Sequence, residues 1–204
     1  MPQAAKFELG EYVMLAEADL NFTILLTITG MAFIVGLYFD LRTQRIPNAF
    51  CLLVTVIGIA SQGYFNQWQG IINALLGLGL AFIVLFPVFV IKALGAGDVK
   101  FMMAIGTLLG PQLLSWSILY AIIAGAITSL SFAIYKTGWH GFKATATRYY
   151  HCLYLNRYFK PAAGEAAGIR VPYAPALALG WIWACSQNDD VLWTMSNVRY
   201  ALFS

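Results

Sequence analysis

The feature that most constrains this chain is the stretch Leu20 to Phe39, which carries no charged side chain and has about the length needed to cross a hydrocarbon core. In lipid every backbone amide must find its partner within the segment, so a stretch of this kind is helical. Similar stretches follow at 49–65, 71–91, 95–110, 113–135 and 171–187. They predict an all-α polytopic membrane protein of about six transmembrane helices, forming a single membrane-embedded domain over 1–204. Composition agrees: of 204 residues 60% are hydrophobic and 10% charged, against about 25% charged in soluble proteins.

The segments before and between the spans are polar. The N-terminus, with Lys6 beside Glu8, Glu11, Glu17 and Asp19, lacks the basic region and small-residue cleavage site of a signal peptide, so it is expected to be retained. "DLRTQRIPN" (Asp40 to Asn48) follows the first span and "NQWQG" the second. Pro87 predicts a kink near the end of the third. Cys51, Cys152 and Cys185 form no CxxC pair, so they read as ordinary thiols, with neither a zinc module nor a disulfide framework indicated.

The fourth segment is awkward, because Val99 to Gly110 is short for a span. Charge decides the matter. If all six segments cross, one side holds Arg42, Arg45, Lys92, Lys100, Lys136, Lys143, Arg148, Arg157, Lys160 and Arg170, ten of the twelve basic residues. The other side keeps only Lys6 and Arg199 beside most of the acids. That is a positive-inside pattern with both termini periplasmic. Were the fourth segment not to cross, the basic loop 136–170 would move to the outer face. The fourth helix must then begin near Leu94 or Gly95, which draws Asp98 into its first turn and lets Lys100 reach back to the interface.

Two acids thereby meet on the cytoplasmic side, Asp40 closing the first span and Asp98 opening the fourth. Ionisable groups at the edge of a span are costly and usually functional. As a helix cap Asp98 is favoured by the free amides of the first turn, whereas Asp40 sits at a helix C-terminus, where negative charge is disfavoured, with Arg42 as its available compensation. As a pair the two form an aspartyl protease dyad: two close carboxyls do not both ionise, so one serves as general base on a water while its protonated partner polarises the scissile carbonyl. Such a pair titrates as a unit, so neither role is given to one residue. Gly95 and Gly97, without Cβ atoms, leave room for an extended peptide or simply make the turn. A phosphate-cradling loop does not fit, since "GAGDVK" lacks the third glycine of GxGxxG and the GK[ST] of a P-loop. The rival from another class is a small proton-coupled transporter or channel using Asp40 and Asp98 as relay groups.

The residues resemble a known family. "GAGD" at Gly95 to Asp98 is similar to the GxGD signature of the type IV prepilin peptidases, "DLRTQRIPN" to their first aspartate motif, and "VPYAPALALG" (Val171 to Gly180) to the segment opening their last helix. The resemblance implies a multi-pass aspartic endopeptidase of the bacterial inner membrane. It would remove the short basic leader of prepilins and pseudopilins after a glycine, on the cytoplasmic side, with Asp40 and Asp98 catalytic and no cofactor or metal. Supporting active-site candidates are Gly95, Gly97, Lys100, Arg42, Pro47 and Asn48. Larger members carry a cytoplasmic insertion with CxxC pairs and methylate the new N-terminus. Here only "LRTQRIPN" separates the first two spans, so the chain resembles the short form of Flp-type (Tad) pilus systems, and N-methylation is not expected. Presenilin-like proteases share GxGD, and Pro175, Ala176 and Leu177 match their Pro-Ala-Leu motif, a mechanistic kinship.

The remaining features have quieter readings. Gly106 and Gly110 form a GxxxG pattern in the fourth span and Gly77 and Gly79 lie in the third, which suits packing within the chain. The loop 136–170 mixes bases with aromatics, and Phe142, Tyr149 and Leu153 share one helical face. That predicts an interfacial helix on anionic membrane lipid, and the positive-inside rule accounts for its charge without nucleic acid. His140 and His151 read as interfacial side chains, and Trp181 and Trp183 as core or lipid-facing.

Overall fold

The computed structural model describes residues 2–90, 94–155 and 173–203, and among them every element is helical. The helices are α1 (Pro2–Thr43), α2 (Asn48–Val90), α3 (Ala96–Leu155), α4 (Ala174–Ser186) and α5 (Asp189–Phe203). Three stretches are long and apolar enough to cross a membrane: Asp19–Thr43, Asn48–Val90 and Ala96–Ser131. α4 is a shorter apolar helix.

Two of the long helices turn back on themselves. α2 leaves helical geometry at Asn66 and Gln67. A Cβ on Gly70 would fall on the Gln62 carbonyl oxygen, and one on Gly63 would lie 3.1 Å from Ile71. Residues eight apart in a straight helix are separated by about 12 Å, so the chain forms a hairpin here, at the polar turn expected from "NQWQG". Through Pro87, where a kink was expected, the dihedrals stay helical. α3 breaks at Gly110, where φ is +70°, and a Cβ on Gly106 would lie 2.9 Å from the Leu114 side chain. The second glycine of the expected GxxxG pattern thus ends a helix. The left-handed backbone and the Asn73 side chain pressed against Gly110 require it to be glycine.

The segment 96–109 explains how so short a helix can be stable in an apolar protein. It lies at the centre of the bundle, with Phe101, Met102, Ala104 and Ile105 fully buried. Small residues let both arms of α2 close on it. A Cβ on Gly58 would fall on the Thr107 hydroxyl, and one on Gly77 would fall on the Gly106 carbonyl oxygen. The expected packing of glycines within the chain is therefore found for Gly77 and Gly106, while Gly79 faces open space. The Gln62 side chain donates to the Leu108 carbonyl at 2.9 Å, crossing from α2 to α3.

α1 and α4 cover the remaining sides. Phe33 of α1 meets Phe101 edge-on at 5.3 Å and stacks on Trp181 at 5.2 Å. Gly180 of α4 packs against the Ala121 backbone. Trp183 is half exposed and stacks on Tyr120. α5 has no counterpart among the expected segments. It is started by Asn188, whose side chain accepts from the Val191 amide, and tied to α1 by a 2.9 Å bond from Asn197 to Asp19.

α3 remains helical to Leu155 after a second left-handed glycine, Gly138. The first part of the expected basic loop is therefore helix, and Lys143, Tyr150 and Tyr154 are exposed on it. His151 is exposed too, its Nδ1 2.8 Å from the Thr147 carbonyl oxygen. The side chains of His140, Phe142, Tyr149 and Leu153, and all of 156–172, lie outside the described residues.

Candidate active site

α1 ends because Gln44 turns left-handed, with φ +52°, while its amide donates to the Asp40 carbonyl at 2.9 Å. Ile46 is then buried, which anchors the short link. The Pro47 carbonyl accepts from the Phe50 and Cys51 amides at 3.1 and 3.2 Å and so opens α2. α3 opens in the same neighbourhood, where the Val99 amide donates to the Gly95 carbonyl at 3.2 Å and Asp98 falls in the first turn, as expected.

These three chain ends surround one cavity of about 480 Å³. Asp40 and Asp98 both line it and lie within electrostatic reach of one another. Of the supporting residues expected from sequence, Gly95, Gly97, Pro47, Asn48 and Lys100 line it as well. Lys100 donates to the Asn48 side chain at 3.1 Å, which ties the start of α3 to the start of α2. A Cβ on Gly95 would sit 2.9 Å from the Asp98 carboxyl oxygen, so a side chain there would displace that carboxyl. A Cβ on Gly97 would meet Ile46 only at ordinary contact distance, 3.6 Å.

Arg42 is not part of the lining. It is exposed, donates to the Tyr38 hydroxyl one turn back, and holds its guanidinium 5.8 Å over that ring. On a helix, residues four apart share a face, so Arg42 follows Tyr38 outward rather than following Asp40 inward. Compensation for Asp40 comes from elsewhere. Asp40 is only 6% exposed, and its Oδ2 accepts the Ala174 amide at 3.0 Å. Tyr173, the N-cap of α4, contributes no side-chain cap, so Asp40 supplies one from a different helix. An acid disfavoured at its own C-terminus is thereby satisfied by a neighbour's N-terminus. The "VPYAPALALG" motif opens α4 and so delivers this amide; residue type alone gave no sign of that bond.

Sequence reasoning also missed Gln44 and Arg45, which line the cavity with the carboxyls. Arg45 and Lys100 thus put two cations in the lining of the cavity that holds the two acids. The chemistry available is that of paired carboxyls beside a space open to water and peptide: proton abstraction by one and proton donation by the other. A larger cavity, about 640 Å³, lies between α1, α4 and α5 around Leu26, Trp181 and Leu192, and no carboxyl of the described residues lines it.

The family model for the type IV leader peptidase family matches residues 25–130, a stretch that contains both aspartates, the "IPN" turn and the central helix. No curated protein and no solved structure matches the chain. With half of its length under that match and helices apolar enough for a bilayer, the chain belongs to the type IV leader peptidase family, membrane peptidases whose substrates are of the prepilin type.

Proposed function

We propose that this chain is an aspartic endopeptidase that cuts the short leader from prepilins and pseudopilins at the cytoplasmic boundary of the bacterial inner membrane, using Asp40 and Asp98. The observation that carries this reading is the shared cavity: two carboxyls far apart in sequence line one space at the ends of apolar helices. A substrate's apolar helix would lie in the bilayer against the bundle, so depth would bring its leader junction to the two acids. One carboxyl takes a proton from water as it attacks the scissile carbonyl, and the other donates to the carbonyl oxygen, giving a gem-diol. Collapse of the gem-diol, with protonation of the leaving amine, completes hydrolysis.

Six spans with both termini periplasmic remain the topology of this proposal, supported by the positive-inside count and by the hairpin breaks in α2 and α3. A short link from α1 to α2 supports membership of the Flp-type (Tad) short form, without methyltransferase activity. Exposed Lys143, Tyr150 and Tyr154 on the helical part of the basic segment support its contact with anionic lipid.

The test is co-expression with a prepilin and mass spectrometry of the product's N-terminus. Asp40→Asn and Asp98→Asn should each leave the precursor intact, a loss of at least about 10³-fold, while the protein still accumulates folded in the membrane. Normal maturation by either variant sinks the two-aspartate mechanism.

A further inference from the structure

We infer that Gln44 is a substrate-binding residue whose carboxamide pairs with the main chain of the leader peptide beside the scissile bond. This rests on the peptidase reading above and adds a contact to it. Three observations converge on the residue. Gln44 lines the cavity together with both aspartates. Its backbone is left-handed, at φ +52°, a conformation that glycine or asparagine adopts more readily than glutamine. Its side chain is exposed and makes no hydrogen bond with another described residue.

A residue needed only to end α1 would be best as glycine, which satisfies the same 2.9 Å bond from its amide to the Asp40 carbonyl without strain. Glutamine at this position therefore keeps a conformational cost for which the fold receives no contact in return. Strain retained at a cavity wall is the kind that accompanies function. The carboxamide also has suitable chemistry. It offers one acceptor and two donors in a plane, the same groups as a peptide unit, so it can pair with an extended backbone whatever the side chains are. Its attachment four residues after Asp40, across the last turn of α1, fixes it relative to that carboxyl. The ligand class is thus an extended polypeptide main chain, and the contact is sequence-tolerant.

A contact of this type is made to bound substrate and transition state alike, so its loss should appear in KM. The experiment uses the full-length chain in proteoliposomes with a purified prepilin precursor, and compares Gln44→Gly with Gln44→Met. The first removes the carboxamide and the strain; the second keeps the bulk and the strain but cannot hydrogen-bond. Both variants should lose about tenfold in kcat/KM, mostly through KM, while Gln44→Gly melts at or above the wild-type temperature. Wild-type kcat/KM in either variant, or a loss that only tracks the folded fraction, overturns the assignment. Asp98→Asn runs in parallel: if it still cleaves, the two-aspartate reading falls, whereas an inert Asp98→Asn beside a fully active Gln44→Gly removes Gln44 alone.

Discussion

The protein places two left-handed glutamines at opposite ends of its apolar core, and their surroundings differ. Gln44 ends α1 beside Asp40 and lines the cavity, while Gln67 sits in the break of α2, some 27 Å of helix from the start of α2 at Asn48. Near the Gln67 end several polar groups are answered from within the fold, although the exposed Gln67 carboxamide itself has no partner among the described residues. Gln62 donates to Leu108, Asn66 donates to Gln62 at 3.1 Å, and Asp19 accepts from Asn197. At the Gln44 end the Gln44 carboxamide is unpaired among the described residues, and the acids face a space. At one end the chain closes a hairpin, and at the other it leaves a cavity lined by both acids. A glutamine with positive φ therefore accompanies a hairpin break in one place and a cavity wall in the other.

The largest test of that division strikes the seam that holds both ends in register. Gly77 touches the Gly106 carbonyl so closely that any side chain must part the helices. Gly77→Leu should cost more than about 3 kcal/mol, enough to remove the folded species from a detergent extract run by size exclusion. What folded protein remains should cleave normally, because the seam lies away from the cavity. A variant that folds well but does not cleave would show that the two ends are not separable.

Next in size is the aromatic cluster under the site. Phe101 follows Asp98 by one helical turn, is fully buried, and lies against Phe33 at 5.3 Å and Phe50 at 6.1 Å. Phe101→Ala should cost about 3–5 kcal/mol of stability, the usual range for a buried aromatic. Unlike the seam variant, it should also lower kcat in the fraction that stays folded, since the turn bearing Asp98 loses its support. Thermal melting and single-turnover cleavage on the same sample separate the two effects. An unchanged kcat would mean that the glycine turn and the Lys100–Asn48 bond are enough to hold Asp98.

Much of this arrangement was legible from residue type and spacing. The charge asymmetry drew Asp98 into a helix's first turn, and α3 does open there. The "NQWQG" stretch marked the hairpin of α2, and the small residues marked a close helix contact within the chain, which Gly77 and Gly106 make. What escaped depends on tertiary neighbours. Gly110 reads as a second interface glycine in a GxxxG pattern, and only its φ of +70° and its contact with Asn73 reveal a helix end. Arg42 reads as the partner of Asp40, yet helix geometry aligns it with Tyr38. The amide that does satisfy Asp40 belongs to Ala174, more than a hundred residues later. No local pattern announces a bond of that range. Gln44 was invisible for a different reason: glutamine carries no preference for the left-handed region, so only backbone coordinates expose the conflict.

The smallest predicted effect isolates that conflict. Gln67 has φ +50° with ψ −135°, a combination close to glycine's own territory, and its side chain is exposed. Gln67→Gly should therefore raise stability by about 1 kcal/mol, the relieved strain being partly offset by the greater freedom of glycine in the unfolded chain. Cleavage should stay at the wild-type rate, in contrast to the tenfold loss expected for Gln44→Gly. Because the two sites are distant and share no partner, the double variant should show additive changes in melting and only the Gln44 deficit in KM. Equal losses of cleavage from both glycine variants would mean that the α1 and α2 breaks move together, and the distinction between an open end and a closed one would have to be given up.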